Sequence, residues 1–380
     1  MTVNRRAQVR GGTSGLRILA LVTDAHGGFG GISQYNRDCI DTLCSFQSVA
    51  EVHVLPRVMP ETLDASLDRK LIYDVEGAGG PAQYAIRALR YAWSLGPIDL
   101  VYCAHINFIP VAALVASVKR APLVLAVYGK DVWKVAGRLP PSVLKNQVSC
   151  VVSISEITRD RFLAWCDIPR ERIFLVPNAI RLEHYGAGPK DEGLLERLGL
   201  KGRTVLMTLG RMSIKDRHAS KGFDRMIRAL PSLIADVPNI AYLMVGDGTE
   251  RPLLEAQAAQ MGLQDRVVFA GRVSDEDKSD FYRLADAFVM PSVGDGFGFV
   301  VLEALACGVP VVASARDGTR EAVRGGELGI IVDPFDESEI RRGILAALQM
   351  PRGVPEGLAY FTYDRFAQRL RTALASVCDI

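Results

Sequence analysis

The sequence predicts an α/β protein built from two doubly wound, Rossmann-like domains. Short apolar runs alternate with amphipathic stretches along the chain, and this alternation occurs in two successive sets. Apolar runs of this length are typical of parallel strands buried on both faces, and the stretches between them have the periodicity of covering helices. At 380 residues, the chain is also longer than one hydrophobic core usually serves.

Each set predicts strands and helices in regular order. The first predicts strands at 16–22, 52–55, 100–103, 123–127, 150–154 and 173–176, with helices that include 32–43, 82–93 and 110–118. The second predicts strands at 204–209, 241–245, 267–270, 287–290, 309–313 and 329–332, with helices that include 223–234, 251–261, 278–285, 300–306 and 338–348. Ligands bind at the carboxyl ends of such strands, so we expect a site in a cleft between two facing sheets.

A polar stretch interrupted by Gly and Pro separates the two sets. We therefore expect a polar N-terminal arm over 1–15, a first domain over 16–180, a linker over 181–202 and a second domain over 203–358. The amphipathic tail predicts a helix within 359–380.

The composition is that of a soluble globular protein. Hydrophobic residues make up 49% of the chain and charged residues 23%, and the net charge of +2 demands no nucleic-acid partner. The seven cysteines are scattered without a CxxC pair, which favours reduced, buried thiols and a cytoplasmic location. Neither an 18-residue apolar run nor an apolar core near the N-terminus occurs, so we expect no transmembrane helix and no signal peptide.

The most informative stretch is 291–314, where a Gly-rich loop runs into an apolar helix and then a buried strand. Gly296 and Gly298 allow the backbone to approach a ligand closely, and the amides at the helix start can face anionic or hydroxyl-rich groups. Asp295 lies before the helix and Glu303 within it. Two carboxylates beside a Gly-lined cavity suit the hydroxyls of sugar and ribose. We favour this interpretation over a helix cap at Asp295, because a cap needs neither two flanking glycines nor a second acid on an apolar helix.

This stretch resembles the signature of the retaining glycosyltransferases of family 4, which have the two-domain glycosyltransferase B fold. The matching positions are Gly296, Phe297, Gly298, Glu303, Ala304, Ala306, Cys307, Gly308, Pro310, Val311 and Val312. The chain departs from the family pattern at Asp295, where the family has Glu. The resemblance implies that Asp295 binds hydroxyls of the transferred sugar, Glu303 binds the ribose, and the amides of Phe297 and Gly298 orient the donor.

A pair of cations follows the first strand of the second set. Arg211 ends the Leu-Gly-Arg run, and Lys221 precedes the next predicted helix. A guanidinium and an ammonium near a helix N-terminus form a phosphate site, and the resemblance implies that they bind the donor diphosphate. The segment between them is longer than in the usual family version, so Lys215 and Arg217 remain rivals for this role.

Two glycine turns of the second set lie near the expected donor. Gly246 permits close backbone approach, while Asp247 beside it suits a simple turn, and the two interpretations weigh evenly. By resemblance, the backbone near Val273 pairs with the nucleobase. The acidic run at 275–277 precedes a helix and reads as its first turn rather than as a metal site. We therefore expect no metal and no cofactor.

The first set also contributes loop residues after its strands. Gly30 and Gly31 match a family Gly-Gly pair near the donor phosphate, and a dinucleotide fingerprint is disfavoured because position 33 is Ser. Tyr128 stands where many family members have His; it can donate a hydrogen bond but is no base near neutral pH. Asp131 and His105 are further candidates for contacts to the sugar or the acceptor.

With these patterns, the resemblance implies a metal-independent retaining hexosyltransferase that uses a nucleotide-diphosphate sugar. The expected acceptor is a glycan or a lipid-linked glycan. Residues 1–180 carry 20 Lys and Arg against 15 Asp and Glu, so an anionic membrane surface on the inner face is a further expected partner, with binding that weakens as salt rises. Two alternatives stay open: a nonhydrolysing sugar-nucleotide epimerase, and a non-catalytic homologue that binds sugar nucleotides.

Overall fold

The computed structural model describes residues 15–59, 63, 67–134, 141–213 and 221–380. Most of the expected N-terminal arm lies outside the described residues, as do the two rival cations Lys215 and Arg217.

The described residues form thirteen strands and thirteen α-helices. The strands are β1 Leu16–Val22, β2 Val49–Pro56, β3 Leu71–Tyr73, β4 Leu100–Cys103, β5 Leu123–Val127, β6 Cys150–Ser153, β7 Ile173–Leu175, β8 Thr204–Leu209, β9 Ile240–Val245, β10 Val267–Gly271, β11 Ala287–Met290, β12 Val311–Ser314 and β13 Ile330–Val332. The helices are α1 Gly31–Ser45, α2 Pro81–Ser94, α3 Ile109–Lys119, α4 Pro141–Gln147, α5 Glu156–Leu163, α6 Glu192–Arg197, α7 Phe223–Asp236, α8 Arg251–Gln260, α9 Lys278–Leu284, α10 Phe299–Ala306, α11 Thr319–Ala322, α12 Glu337–Ala347 and α13 Tyr363–Ala375.

The first sheet has seven strands in the order β3-β2-β1-β4-β5-β6-β7. The strand β1 pairs in parallel with both β2 and β4. The chain order therefore reverses between β1 and β4, which is the topological switch point of a doubly wound sheet. The loop that leads to Gly30 follows β1, and His105 follows β4, so the sequence candidates of this sheet lie at its switch point.

The second sheet has six strands in the order β10-β9-β8-β11-β12-β13. Its strands β8 and β9 are parallel and in register from Thr204 opposite Ile240 to Leu209 opposite Val245. The face between this sheet and helices α7, α8 and α12 is filled by a core that includes Leu206, Met226 and Ile344. The switch point of this sheet lies between β8 and β11, and their carboxyl ends carry the donor-site candidates.

The chain divides into two compact units that cut across the sheet boundaries. The first unit comprises Met1–Leu125, Gln147–Cys150 and Leu374–Ile380, and the second comprises Ala126–Asn146 and Val151–Ala373. The second unit thus holds the whole six-stranded sheet together with the last two residues of β5, most of β6 and all of β7.

The predicted α/β architecture with two parallel sheets is confirmed. The strands β1, β4, β5, β8 and β11 have the predicted bounds, and most other elements shift by one to three residues at an end. The strand β3 was not predicted, because its Leu-Ile-Tyr run has only three residues, none of them fully buried, and is too short to indicate a strand from the sequence. Within the described part of the chain, no helix combines the length and the apolar character that crossing a bilayer requires.

Candidate active site

The candidate site lies at the switch point of the second sheet. Gly210 and Arg211 follow β8, and the loop 291–298 follows β11. Helix α7 begins directly after Gly222, which adopts a left-handed conformation with φ of 90°. A Cβ on Gly222 would lie 2.6 Å from the carbonyl oxygen of Pro291, so only glycine lets the start of α7 pack against this loop.

Two of the predicted residues meet at this point. The Lys221 Nζ lies 2.6 Å from the Asp295 Oδ1, although the residues are 74 positions apart in the chain. The Lys221 stem lies over Gly210, since a Cβ on Gly210 would be 3.0 Å from the Lys221 Cγ. Both side chains keep some exposure, so the pair is accessible from solvent. The structure therefore unites the expected phosphate-binding ammonium with the expected sugar-binding carboxylate.

Arg211 lies one residue after Gly210, on whose backbone Lys221 packs. Its side chain is exposed and pairs with no residue among those that the structure describes. Arg211 thus follows the backbone on which Lys221 packs, and its positive charge is available for an anionic ligand.

A buried carboxylate that sequence reasoning missed fixes the loop carrying Asp295. The Asp317 Oδ2 accepts from the Ser292 hydroxyl at 2.8 Å and from the Asp295 backbone amide at 3.0 Å. Its Oδ1 accepts from the Thr319 hydroxyl at 2.7 Å and from the Thr319 amide at 3.1 Å. Asp317 is fully buried, and burial together with the nearby charge of Asp295 raises its pKa to about 6. The signal in the sequence was a polar run after strand β12, at the same sheet edge.

We expect Asp317→Asn to change how stability depends on pH. The folded carboxyl has the higher pKa, so the folded protein binds more protons between about pH 4 and pH 6, and wild-type stability falls as pH rises through this window. The variant lacks this titration, so relative to wild type it should gain about 1–3 kcal/mol across the window, whatever its constant offset. Urea unfolding at several pH values measures this difference.

The matched comparison is Asp131→Asn. Burial also raises the pKa of the Asp131 carboxyl to about 6, so the stability of this variant relative to wild type should change with pH over the same window. A difference curve for Asp317→Asn that is flat with pH would contradict the assignment.

The loop residue Gly296 packs directly on the end of β5. A Cβ on Gly296 would overlap the carbonyl oxygen of Tyr128, and one on Gly318 would overlap the carbonyl oxygen of Gly296. Asp131 holds the Tyr128 end of this contact, because its two carboxylate oxygens each lie 3.2 Å from the Tyr128 amide. Tyr128 is itself buried. Asp131 therefore has a structural role in positioning this turn, beside the contact role that the sequence predicted.

The second acid, Glu303, lies on α10 and is buried. The Tyr282 hydroxyl donates to its Oε2 at 2.6 Å, and the Tyr185 hydroxyl donates to its Oε1 at 3.0 Å. Lys278 lies 3.7 Å from Oε1. Burial raises the pKa of both tyrosines, and the charge of Glu303 adds to it, so both remain donors at neutral pH. Sequence reasoning missed both tyrosines, since neither is near Glu303 in the chain.

We expect Tyr282→Phe to lower both stability and donor turnover. The change removes a buried hydrogen bond to a charged acceptor, which contributes about 1.5–3 kcal/mol, and frees Glu303 to rotate. Thermal unfolding and kcat/KM measure the two effects. The control is Tyr242→Phe, which removes a buried bond of 2.7 Å to the neutral Thr208 hydroxyl. That control should lose some stability but keep kcat/KM, and an equal loss of kcat/KM in both variants would contradict a specific role for Tyr282.

The remaining candidates of the second sheet lie along the same edge. Phe297 points a buried ring towards Phe361, with ring centres 5.5 Å apart, and Gly298 caps α10 with φ of 94°. A Cβ on Gly246 would overlap the carbonyl oxygen of Gly210, so this glycine lets two loops touch. Val273 is half-buried, just beyond β10.

The acidic run at 275–277 forms contacts with residues next to it in the chain. The Asp275 carboxylate pairs with Lys278 at 2.6 Å, and the Ser274 hydroxyl donates to Asp277 at 2.7 Å. This arrangement agrees with an acidic turn before α9.

The candidates of the first sheet lie at its own switch point. Gly30 has φ of 90° and precedes α1, and a Cβ added to Gly30 or Gly31 would meet no atom within 4 Å, so this turn is open. His105 caps a short 3₁₀ turn, with its Nδ1 accepting from the Asn107 amide at 3.1 Å. Burial lowers the pKa of His105 and keeps the ring neutral. Its observed contacts are those of a structural histidine.

Two family models match the chain in succession. The model described as Glycosyltransferase Family 4 matches residues 29–184, and the model described as Glycosyl transferases group 1 matches residues 200–363. The second match contains the Lys221–Asp295 pair and Glu303.

Two relatives that the chain resembles are named as glycosyltransferases. The chain is 32% identical to the GDP-mannose-dependent alpha-(1-6)-phosphatidylinositol monomannoside mannosyltransferase of Mycolicibacterium smegmatis, over 70% of this chain and 72% of that protein. It is 29% identical to the D-inositol 3-phosphate glycosyltransferase of Geodermatophilus obscurus, over 76% of this chain and 63% of that protein.

Solved structures agree with the fold. The Anabaena protein HepE, crystallised with UDP-glucose, superposes with a TM-score of 0.73 at 21% identity, over 95% of this chain and all of that one. With two parallel Rossmann-like sheets and the signature residues gathered at one sheet edge, the chain belongs to the family 4 (group 1) glycosyltransferases, which have the glycosyltransferase B fold.

Proposed function

We propose that the protein is a retaining hexosyltransferase that moves a sugar from a nucleoside diphosphate to a lipid-linked or glycan acceptor. The observation that carries the proposal is the Lys221–Asp295 pair at the carboxyl ends of β8 and β11, where Arg211, which pairs with no described residue, directly follows Gly210. Charges of both signs at one sheet edge suit a donor with an anionic diphosphate and a neutral sugar.

The two cations have the task of stabilising the leaving group. Negative charge grows on the diphosphate as the bond from the anomeric carbon to its oxygen breaks. Arg211 offers a fork of donors and Lys221 a compact charge, so together they neutralise this oxygen without a metal. A chelator should accordingly leave the rate unchanged.

The carboxylates orient the rest of the donor. Asp295 accepts from hydroxyls of the transferred sugar, and Glu303, held by two tyrosines, accepts from the ribose. Retention follows if the acceptor oxygen attacks the anomeric carbon on the face that the diphosphate leaves. The acceptor proton then passes to an oxygen of the departing phosphate, and no protein nucleophile is needed.

Donor binding requires the resting ion pair to open. The ammonium turns to phosphate while Asp295 turns to the sugar, so each charge exchanges one partner for another. A sugar nucleotide satisfies both groups, whereas a nucleoside diphosphate without sugar leaves Asp295 unpaired. We therefore expect Asp295→Asn to bind nucleoside diphosphate at least as tightly as wild type while losing turnover, because the variant keeps Lys221 and no longer sequesters it. Isothermal titration with GDP and UDP measures this, and weaker binding in the variant would contradict the proposed exchange.

Incubation with radiolabelled sugar nucleotides tests the reaction class. GDP-mannose is the first donor to try, since a relative is named for it, and UDP-glucose and UDP-galactose are the next. Slow donor hydrolysis with retained anomeric configuration supports the proposal. An isomerised donor would indicate an epimerase. Binding without turnover would indicate a non-catalytic homologue, an alternative favoured by the departures from the family pattern at Asp295 and Tyr128.

A further inference from the structure

The first unit exposes an apolar face on two neighbouring helices. On α2, the exposed Ile86, Leu89 and Trp93 follow the i, i+3, i+7 spacing of a single helix face, and Trp93 is 81% exposed. On α3, Leu114 and Val118 are spaced i, i+4 and are both exposed. Isolated exposed apolar residues are ordinary, whereas five on two adjacent helices are typical of an interaction surface.

The ends of the two helices lie together. Helix α2 packs against α3, and the Lys119 ammonium donates to the carbonyl oxygens of Leu95 at 2.6 Å and Gly96 at 3.0 Å. Lys119 directly follows Val118, and Leu95 lies two residues beyond Trp93. The largest exposed ring and the end of the α3 stripe therefore belong to the same end of one helix pair, which we call the α2–α3 face (Ile86, Leu89, Trp93, Leu114 and Val118).

The two helices that form this face carry only positive charge. Neither α2 nor α3 contains an Asp or a Glu. The acids nearest along the chain lie outside the two helices: Asp74 and Glu76 neutralise Arg87, and Asp99 follows α2. Arg90 and Arg120 are exposed and pair with no residue in the described part of the chain. A tryptophan and aliphatic side chains among cations match the boundary of a bilayer with anionic headgroups, where the ring lies at the interface and the cations meet the headgroups.

We propose that the α2–α3 face docks this protein on an anionic lipid bilayer. The inference rests on the proposed function in one respect, namely that a lipid-linked acceptor would reside in that bilayer. The docking itself needs neither donor nor acceptor, and it is therefore tested without either.

The probe is a set of phosphatidylcholine vesicles prepared with and without phosphatidylglycerol, mixed with the full chain at low salt. We expect co-sedimentation with the anionic vesicles, weakening as salt rises, and a blue shift of tryptophan emission. Trp93→Phe should remove the shift, because the indole groups of Trp133 and Trp165 are already hydrogen-bonded inside the second unit.

Matched variants separate this face from general surface effects. Leu114→Glu should abolish binding, whereas Leu253→Glu, at a similarly exposed leucine on α8, should not. Neutralising Arg90 and Arg120 to Gln should lower the partition coefficient roughly tenfold or more, while the same change at the exposed Arg320 and Arg342 should leave it unchanged.

Several results would overturn the inference. These are no binding at low salt, equal loss in Leu114→Glu and Leu253→Glu, or self-association in sedimentation equilibrium that Leu114→Glu abolishes, which would assign the face to a second copy. Vesicle binding without sugar transfer would refute only the proposed function, and transfer to a soluble acceptor without vesicle binding would refute only the docking face.

Discussion

Replacing Arg211 by Gln and Lys221 by Met in one variant is expected to abolish donor binding. Each cation would supply hydrogen bonds of the charged kind, which contribute about 1.5–3 kcal/mol apiece, so the affinity for GDP and UDP should fall roughly a hundredfold to ten-thousandfold. The rate should fall further, because the charge on the leaving diphosphate is largest in the transition state. Titration calorimetry with both nucleotides, and kcat/KM with the accepted donor, measure the two effects.

The control for this variant removes the same charges elsewhere in the second half of the chain. Lys201→Met combined with Arg342→Gln changes two exposed residues that follow neither β8 nor β11, since Lys201 precedes the amino end of β8 and Arg342 lies on α12. It should leave nucleotide affinity unchanged. If the Arg211 and Lys221 variant folds and still binds GDP and UDP as wild type does, the donor site lies elsewhere and the proposed function loses its support.

The sequence predicted the fold well because the relevant signal is local. A strand buried on both faces, such as β5 or β11, must be apolar along its whole length, so its limits can be read from the chain itself. The strand β3 was not predicted because it is short and none of its residues is fully buried. Ends of helices moved by a residue or two because capping depends on backbone conformation, as at Gly30, where α1 begins one residue earlier than predicted.

The sequence also predicted part of the site, because some of its residues carry a local signal. Asp295, Glu303 and Lys221 each follow a strand or lie on the next helix, and the order of strands then brings them to one edge. The groups that hold them are non-local: Tyr185 lies 118 residues from Glu303, and Asp317 lies 22 residues from Asp295. No spacing rule links such pairs, since their proximity depends on how the sheet orders its strands. Asp317 carried a weak signal as a polar residue after a strand, whereas Tyr185 carried none.

Gly296 shows both what the sequence could predict about the site and what it could not. Its neighbourhood predicted close backbone approach to a ligand, but the observed close approach is to protein backbone at the end of β5. Both Gly296 and the Tyr128 carbonyl belong to the second unit. Gly296 thus sets the position of the loop that carries Asp295, whatever it also offers to a donor.

We therefore expect Gly296→Ala to remove activity while the chain still folds. The added methyl group would overlap the Tyr128 carbonyl oxygen, so the loop must move, and overpacking of this kind costs about 1–3 kcal/mol of stability. Displacing Asp295 by even ~1 Å is expected to lower kcat/KM about a hundredfold. The control is Gly186→Ala, where a Cβ meets no atom within 4 Å and the backbone needs no left-handed conformation. Thermal unfolding and kcat/KM should both be near wild type in that control. Wild-type kcat/KM in a folded Gly296→Ala protein would show that Asp295 does not need the position the loop gives it, and would remove Asp295 from the proposed contact with the sugar.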